Sequence, residues 1–205
     1  MKRIGVLGYG SRISGVLNNV VRGSKGEARI EAFYDQSDKA LDRAKNANPD
    51  IRVCKSTDEL VRIDELDWIF IGSFNAMHIE HAVPAINAGK HVFCEKPLAT
   101  TKQDCLDILE AHRSHASQSF GVGFVLRYSK FYRTIKEWID QGKLGDLISM
   151  EFNETLHPQH GASMHGNWRR KVEWSGPMIL EKCCHDMDLM HWLTGSKPGR
   201  VASFG

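Results

Sequence analysis

The chain has no apolar run long enough to span a bilayer, no C-x-x-C pair, no low-complexity tract and no internal repeat. After the basic pair Lys2-Arg3 the apolar stretch is short and has no small-residue cleavage site, so residues 4–7 read as a first strand and not as a leader. The five cysteines, Cys54, Cys94, Cys105, Cys183 and Cys184, are odd in number. That argues against a disulfide framework and for reduced thiols in a cytoplasmic protein. The adjacent Cys183 and Cys184 read as small buried apolar groups in preference to a redox pair. Neither sign of charge is in excess: 27 Lys and Arg stand against 25 Asp and Glu, a formal +2 at pH 7. Such balance argues against nucleic acid or a membrane surface as the partner. No metal-ligand spacing occurs, so no metal is expected.

What is present, in 205 residues, is ordinary globular composition, 41% hydrophobic and 25% charged, enough for one domain or two small ones. Strand-like and helix-like patterns alternate through the first part. Strands are predicted over 4–7, 30–34, 51–54, 68–71, 91–94 and 120–125. Helices are predicted over 11–21, 37–47, 79–88 and 101–116, with Ser56 and Glu59 spaced as a capping box, Thr101 as an N-cap and Gly89 as a C-terminal stop. Repeated units of this length imply an α/β fold, a parallel sheet with helices on both faces. After residue 125 the rhythm changes. A helix is expected over 131–141 and a strand with one apolar face over 147–152. Residues 154–175 have no clear period and read as a loop. An apolar helix runs over 178–193 to a stop at Gly195, and another strand opens over 201–204. One strand, one long helix and a strand start leave a sheet edge open and a helix face bare, so the chain reads either as a fragment or as covered by a partner.

The first strand runs into Gly8-Tyr9-Gly10, and Ser11, Arg12 and Ile13 open the helix that follows. The first glycine allows a tight turn, and the second lets the backbone approach a pyrophosphate at the helix N-terminus. Ile13 occupies the usual place of a third glycine, so the match is weak by itself. Asp35, at the end of the second strand, strengthens it, because a carboxylate there accepts from the adenine-ribose hydroxyls. It also repels a ribose phosphate, and Gln36 and Ser37 follow it with no arginine, which favours NAD over NADP. Ser73, Phe74 and Asn75, after the fourth strand, are placed beside the ribose and nicotinamide. The fifth strand ends at Glu95-Lys96-Pro97. The proline cannot donate to a ladder and keeps Lys96 out of helix, so Glu95 and Lys96 stand at the carboxyl end of a sheet strand, where open α/β sheets bind ligands. On the long helix Glu181 and His185 are four apart and share a face, with Asp188 three further on. A carboxylate beside an imidazole fixes its tautomer and raises its basicity; the same pair serves equally as a satisfied core histidine.

Four segments together resemble the Gfo/Idh/MocA oxidoreductases, the group of glucose-fructose oxidoreductase and inositol 2-dehydrogenase. They are the Gly8-Tyr9-Gly10 turn, Asn75-Ala76-Met77-His78, Gly89-Lys90-His91-Val92-Phe93-Cys94-Glu95-Lys96-Pro97, and Glu181 to Leu193 with His185-Asp186-Met187-Asp188. The resemblance implies an N-terminal NAD-binding Rossmann domain over 1–124, with His78 among the cofactor residues. Over 125–205 it implies an incomplete α+β domain on an open, mainly antiparallel sheet used for substrate binding and dimerisation. It maps the lysine between nicotinamide and substrate onto Lys96 and the acid/base histidine onto His185. Where an aspartate often assists, this chain has Glu181. The activity implied is hydride transfer between nicotinamide and a sugar or polyol hydroxyl by a homo-oligomer, with Lys96 and His185 at the substrate. By their own chemistry Trp168 and Arg169 are expected as substrate contacts, an aromatic face for a sugar ring and a guanidinium for its hydroxyls, a plain surface loop being the alternative; Arg127, after the sixth strand, is expected at the substrate or in a domain-junction ion pair. Two other readings stay open: a cofactor-sensing regulator without turnover, and NAD-dependent glycoside cleavage through a keto sugar.

Overall fold

The computed structural model describes residues 1–204. Six strands, β1 (Lys2–Leu7), β2 (Ala28–Tyr34), β3 (Arg52–Val53), β4 (Trp68–Ile71), β5 (His91–Cys94) and β6 (Phe120–Val122), form one sheet in the order β3-β2-β1-β4-β5-β6. Every adjacent pair is parallel. The helices between them are α1 (Ser11–Gly23), α2 (Asp38–Ala47), α3 (Thr57–Val61), α4 (His78–Asn87) and α5 (Lys102–Ser114). They bury two apolar clusters, one around Ile4, Ile13, Leu17 and Phe33 and the other around Leu60, Ile69, Ile86 and Ile108. Strand order reverses between β1 and β4, and ligands of open α/β sheets bind at that switch point.

The expected stops and starts are realised by their own chemistry. Ser56 Oγ accepts from Glu59 N–H at 3.1 Å, and Glu59 Oε2 accepts from the Lys55 N–H, one residue earlier than a strict capping box would have it. Thr101 Oγ1 caps α5 through Asp104 N–H. Gly89, at φ +73°, takes the left-handed turn after α4. Lys90 is buried, and its ammonium donates to the carbonyls of Ile63, Asp64 and Leu66, closing the loop that leads into β4. The third strand is shorter than expected, only Arg52–Val53, and the sixth stops at Val122.

The second part departs further from expectation. No strand follows β6 among the described residues. Residues 147–152 and 201–204, expected as strands, carry no ladder and are largely exposed. An alternating pattern makes a strand only where a neighbouring strand supplies backbone partners, and none of the described residues does so. The segment 154–175, expected as a loop, is instead mostly helical. It contains α7 (Pro158–His165), capped by His157 with Pro158 in the first turn, a 3₁₀ turn over Trp168–Arg170 and the short α8 (Val172–Ser175). Capping and aromatic packing order it without an apolar period. Helices α6 (Lys130–Asp140) and α9 (Met178–Thr194) form as expected, α9 ending at Gly195 with φ +64°. No helix among the described residues is long and apolar enough to cross a membrane.

Candidate active site

A cleft of about 1080 Å³ runs along the carboxyl ends of the strands, from Asp35 at one end to His185 at the other. Its floor is the glycine turn. Gly8 sits at φ +80°, and a Cβ there would lie 2.4 Å from the Ser73 nitrogen, so only glycine fits. Gly10 precedes α1 and offers no side-chain cap, which leaves the first-turn amides of that helix available to an anion. The absent third glycine is explained across the interface. Ile13 is fully buried, and its Cβ lies where a side chain on Gly72 would be, at 2.4 Å. Close helix–strand approach is preserved by moving the glycine from α1 to the end of β4.

Asp35 Oδ2 accepts from Tyr9 N–H at 2.7 Å and Oδ1 accepts from Ser37 N–H at 2.8 Å, which fixes the carboxylate at the cleft rim. Arg12 Nε donates to Glu95 Oε1 at 3.2 Å, tying the start of α1 to the end of β5. Glu95 is buried, and burial raises its carboxyl pKa against the opposing pull of Arg12. Gly123 gives Glu95 its room, since a Cβ there would meet Oε2 at 2.9 Å. Floor, amide donors, carboxylate rim and volume together suit a dinucleotide.

At the opposite end, Lys96 and His185 line the same cleft. Lys96 Nζ donates to Glu181 O at 2.6 Å and approaches Glu181 Oε1 at 3.4 Å. Glu181 is buried at 3% exposure, and its carboxylate also accepts from Asn75 Nδ2 at 2.5 Å and Arg169 Nε at 2.9 Å. It makes no hydrogen bond to His185. The expected role of orienting the imidazole is therefore corrected: Glu181 holds the lysine, because two cations and an amide occupy its carboxylate oxygens. His185 rests edge-on against Phe124 with ring centroids 6.1 Å apart. Its Nδ1 is buried without a protein partner, which leaves Nε2 as the nitrogen available to a ligand. Burial, and then the charges of Lys96, Lys182 and Arg12, lower its pKa to about 4, so the ring is neutral at pH 7.

Other expected residues divide. Gly8, Gly10, Ser11, Arg12, Asp35, Ser73, Phe74, Asn75, Glu95, Lys96, Trp168, Arg169, Glu181 and His185 all line the cleft. Tyr9 and Ile13 point their side chains into the core and can meet a cofactor only through the backbone. His78, expected at the cofactor, is fully buried between the carbonyls of Pro97 and Ser73, a fastener under the cleft wall. Arg127, expected at the substrate, is taken by a bidentate pair with Asp188 at 2.7 and 2.5 Å and lies over Trp192. Trp168 stacks on Phe74 with centroids 4.6 Å apart, and Arg169 lies 4.4 Å over the Trp168 ring. Sequence reasoning missed His81, which lines the cleft and bonds Ser73 Oγ at 2.9 Å; its place one turn after His78 was the available signal. It also missed Lys39, Arg43 and Lys182, all of which line the cleft.

Family models match in two stretches: the oxidoreductase family with an NAD-binding Rossmann fold over residues 2–124, and that family's C-terminal alpha/beta domain over 136–205. The chain is 33% identical over 192 residues to inositol 2-dehydrogenase of Gluconacetobacter diazotrophicus, covering 93% of this chain and 53% of that protein. It is 34% identical over 148 residues to the oxidoreductase YteT of Bacillus subtilis, described there as putative, covering 72% of this chain and 34% of that one. Among solved structures, myo-inositol 2-dehydrogenase from Lactobacillus plantarum superposes with a TM-score of 0.85 at 27% identity, over 96% of this chain and 57% of that one. Scyllo-inositol dehydrogenase from Lactobacillus casei, solved with NAD(H) and scyllo-inositol, gives 0.81 at 28%, over 95% and 56%. The chain thus spans about half the length of the inositol dehydrogenases it matches. With the glycine-turn cleft and both family models in agreement, the chain belongs to the Gfo/Idh/MocA oxidoreductase family, and its N-terminal part is the NAD-binding Rossmann fold of that family.

Proposed function

We propose that this chain is the cofactor-binding and catalytic part of an NAD-dependent dehydrogenase acting on a secondary hydroxyl of a cyclic polyol or sugar. The observation that carries the reading is the meeting of Lys96 and His185 on one cleft with the glycine turn. Division at residue 124 is part of it: residues 1–124 hold the cofactor, while 125–205 supply His185, Glu181 and the aromatic wall. NAD, when bound, supplies the hydride acceptor. Gly8, Gly10 and the α1 amides hold its pyrophosphate, and Asp35 takes the adenosine ribose hydroxyls.

The chain's own chemistry is the handling of one proton and one developing negative charge. His185 Nε2 takes the hydroxyl proton, while Lys96 Nζ faces the oxygen as alkoxide charge grows. Burial first, and then the cations around the ring, keep His185 neutral at rest. A developing alkoxide offsets those cations and restores basicity to the ring as the reaction proceeds. Glu181 holds Lys96 in place. The Phe74–Trp168 stack gives an apolar face to a sugar ring, and Arg169 lies beside it for hydroxyl contacts. Exposed Phe131, Ile148 and Tyr128 support self-association as a homo-oligomer, which light scattering tests.

The function is tested by a panel of inositols, sugars and polyols with NAD, followed at the absorbance of reduced nicotinamide. Turnover on a polyol is expected, with His185→Ala removing turnover and leaving NADH binding in place. Full turnover by that variant removes His185 from the reaction, and NADH binding without turnover on any substrate favours a sensor.

A further inference from the structure

The cleft holds a histidine that the hydride chemistry does not use. Across the sheet the strands run β2, β1, β4, β5, so Asp35, the glycine turn, Ser73 and Lys96 follow one another along the cleft. Ser73 therefore stands between the turn that takes the pyrophosphate and the lysine that faces the substrate, which is the place of the nicotinamide half. Its backbone is held from two sides. The Ser73 nitrogen lies 2.4 Å from where a Cβ on Gly8 would be, and its carbonyl meets His78 Nε2 at 3.3 Å, while Nδ1 of the same ring bonds Pro97 O at 2.8 Å. Its hydroxyl has one protein partner among the described residues, His81 Nδ1 at 2.9 Å. His81 also lines the cleft and is 4% exposed. Burial first, and then His78, lower its pKa to about 4, so the ring is neutral at pH 7.

A hydroxyl carries one hydrogen and two lone pairs, and a neutral imidazole carries one N–H and one lone pair. The Ser73 hydrogen has a single protein acceptor within reach, the Nδ1 lone pair, so the hydroxyl donates to the ring and the ring's own proton is assigned to Nε2. Ser73 then offers the cleft oxygen lone pairs and no hydrogen. A phosphate oxygen has no use for them, whereas a carboxamide N–H or a ribose O–H does. We infer that His81 is a positioning residue: it holds the Ser73 hydroxyl as an acceptor for an N–H or O–H of the nicotinamide half of NAD. Without the ring the hydroxyl turns freely and meets that donor with its own hydrogen. This deepens the cofactor reading above and rests on it.

The test is titration calorimetry of NADH, and of ADP, which lacks the nicotinamide half, on wild type, His81→Gln, His81→Asn, Ser73→Ala and His81→Gln/Ser73→Ala. The asparagine carbonyl oxygen reaches the place of Nδ1, whereas the glutamine amide reaches that of Nε2 and misses Ser73. His81→Gln and Ser73→Ala are each expected to weaken NADH roughly three- to tenfold, the scale of one neutral hydrogen bond, with ADP affinity unchanged. The double variant is expected to bind NADH no more weakly than Ser73→Ala, and His81→Asn to return the wild-type affinity. An NADH analogue with an acetyl group in place of the carboxamide identifies the donor: the Ser73→Ala penalty disappears if the donor is the carboxamide and persists if it is a ribose hydroxyl. Unaltered NADH affinity in His81→Gln, ADP weakened in step with NADH, or strictly additive substitutions overturn the role and leave a histidine that only fills space. Should His81→Gln not fold, the imidazole ¹⁵N shifts of the wild-type chain with NADH decide: a bare Nδ1 supports the role, and a proton on Nδ1 overturns it. Failure of NADH to bind wild type removes the cofactor reading as well.

Discussion

Replacing Glu181 by glutamine separates two accounts of the long helix. The carboxylate is 3% exposed and serves Lys96, Arg169 and Asn75 together. Glutamine keeps the shape and one acceptor oxygen, which can still meet the Asn75 amide. Its NH₂ group then faces two cations, donor against donor, with the negative charge gone. Removing one partner of a buried ion pair costs about 3–5 kcal/mol. Arg169 retains 30% of its side-chain exposure and recovers water, so the low end, about 3 kcal/mol, is expected. Urea unfolding followed by tryptophan fluorescence reads this, since Trp168 and Trp174 pack against Phe74 beside the network. Arg169→Gln and the double variant complete the cycle, with an expected coupling of about 1–3 kcal/mol. A Glu181→Gln protein within about 0.5 kcal/mol of wild type, or two strictly additive substitutions, refutes the hub. A role confined to orienting His185 would lower turnover without that coupling.

Three further outcomes follow from the same structure. Gly72→Ala sets a methyl against Ile13 Cβ at 2.4 Å and is expected to cost about 1–3 kcal/mol, with Ile13→Ala relieving part of the strain; an unchanged denaturation midpoint refutes the exchanged glycine. Lys90→Met strips three loop carbonyls of their shared donor and is expected to cost about 2–4 kcal/mol in the same assay. Burial lowers the His81 pKa from 6.5 to about 4, so the unfolded chain binds a proton in that interval and the folded chain does not. Its contribution is present above pH 6.5 and lost as pH falls toward 4, whereas Glu95, whose folded pKa is raised, acts in the opposite sense. His81→Gln should flatten the fall of stability over that window, and an unaltered slope in pH-dependent unfolding argues against it.

Much of the sheet was legible because its central strands are short, largely apolar and bounded by residues with one meaning: Gly8 after β1, Asp35 after β2, Gly89 between α4 and β5, and Pro97 just past β5. The meeting of Lys96 with His185 was legible through a sequence likeness, not through spacing, since 85 residues separate Lys96 from Glu181 one turn earlier. What stayed hidden was partnership. Four-residue spacing put Glu181 and His185 on one face, yet the carboxylate turns to Lys96, Arg169 and Asn75, three groups from three separate stretches of chain. His78 was placed at the cofactor through the family resemblance of its segment; two carbonyls 19 and 5 residues away claim it instead. Residues 147–152 alternate as a strand should, but alternation describes one strand's faces and says nothing of whether a neighbour is there to pair with.

Asn75 gives the cleft a mechanical property. Its amide donates at once to Ser175 O and to Glu181 Oε2, both bonds out of contact with water. The turn after β4 and the aromatic wall around Trp168 are thus riveted through one nitrogen. Any widening that admits or releases a molecule there carries both walls as one panel, or exposes two buried acceptors to do it.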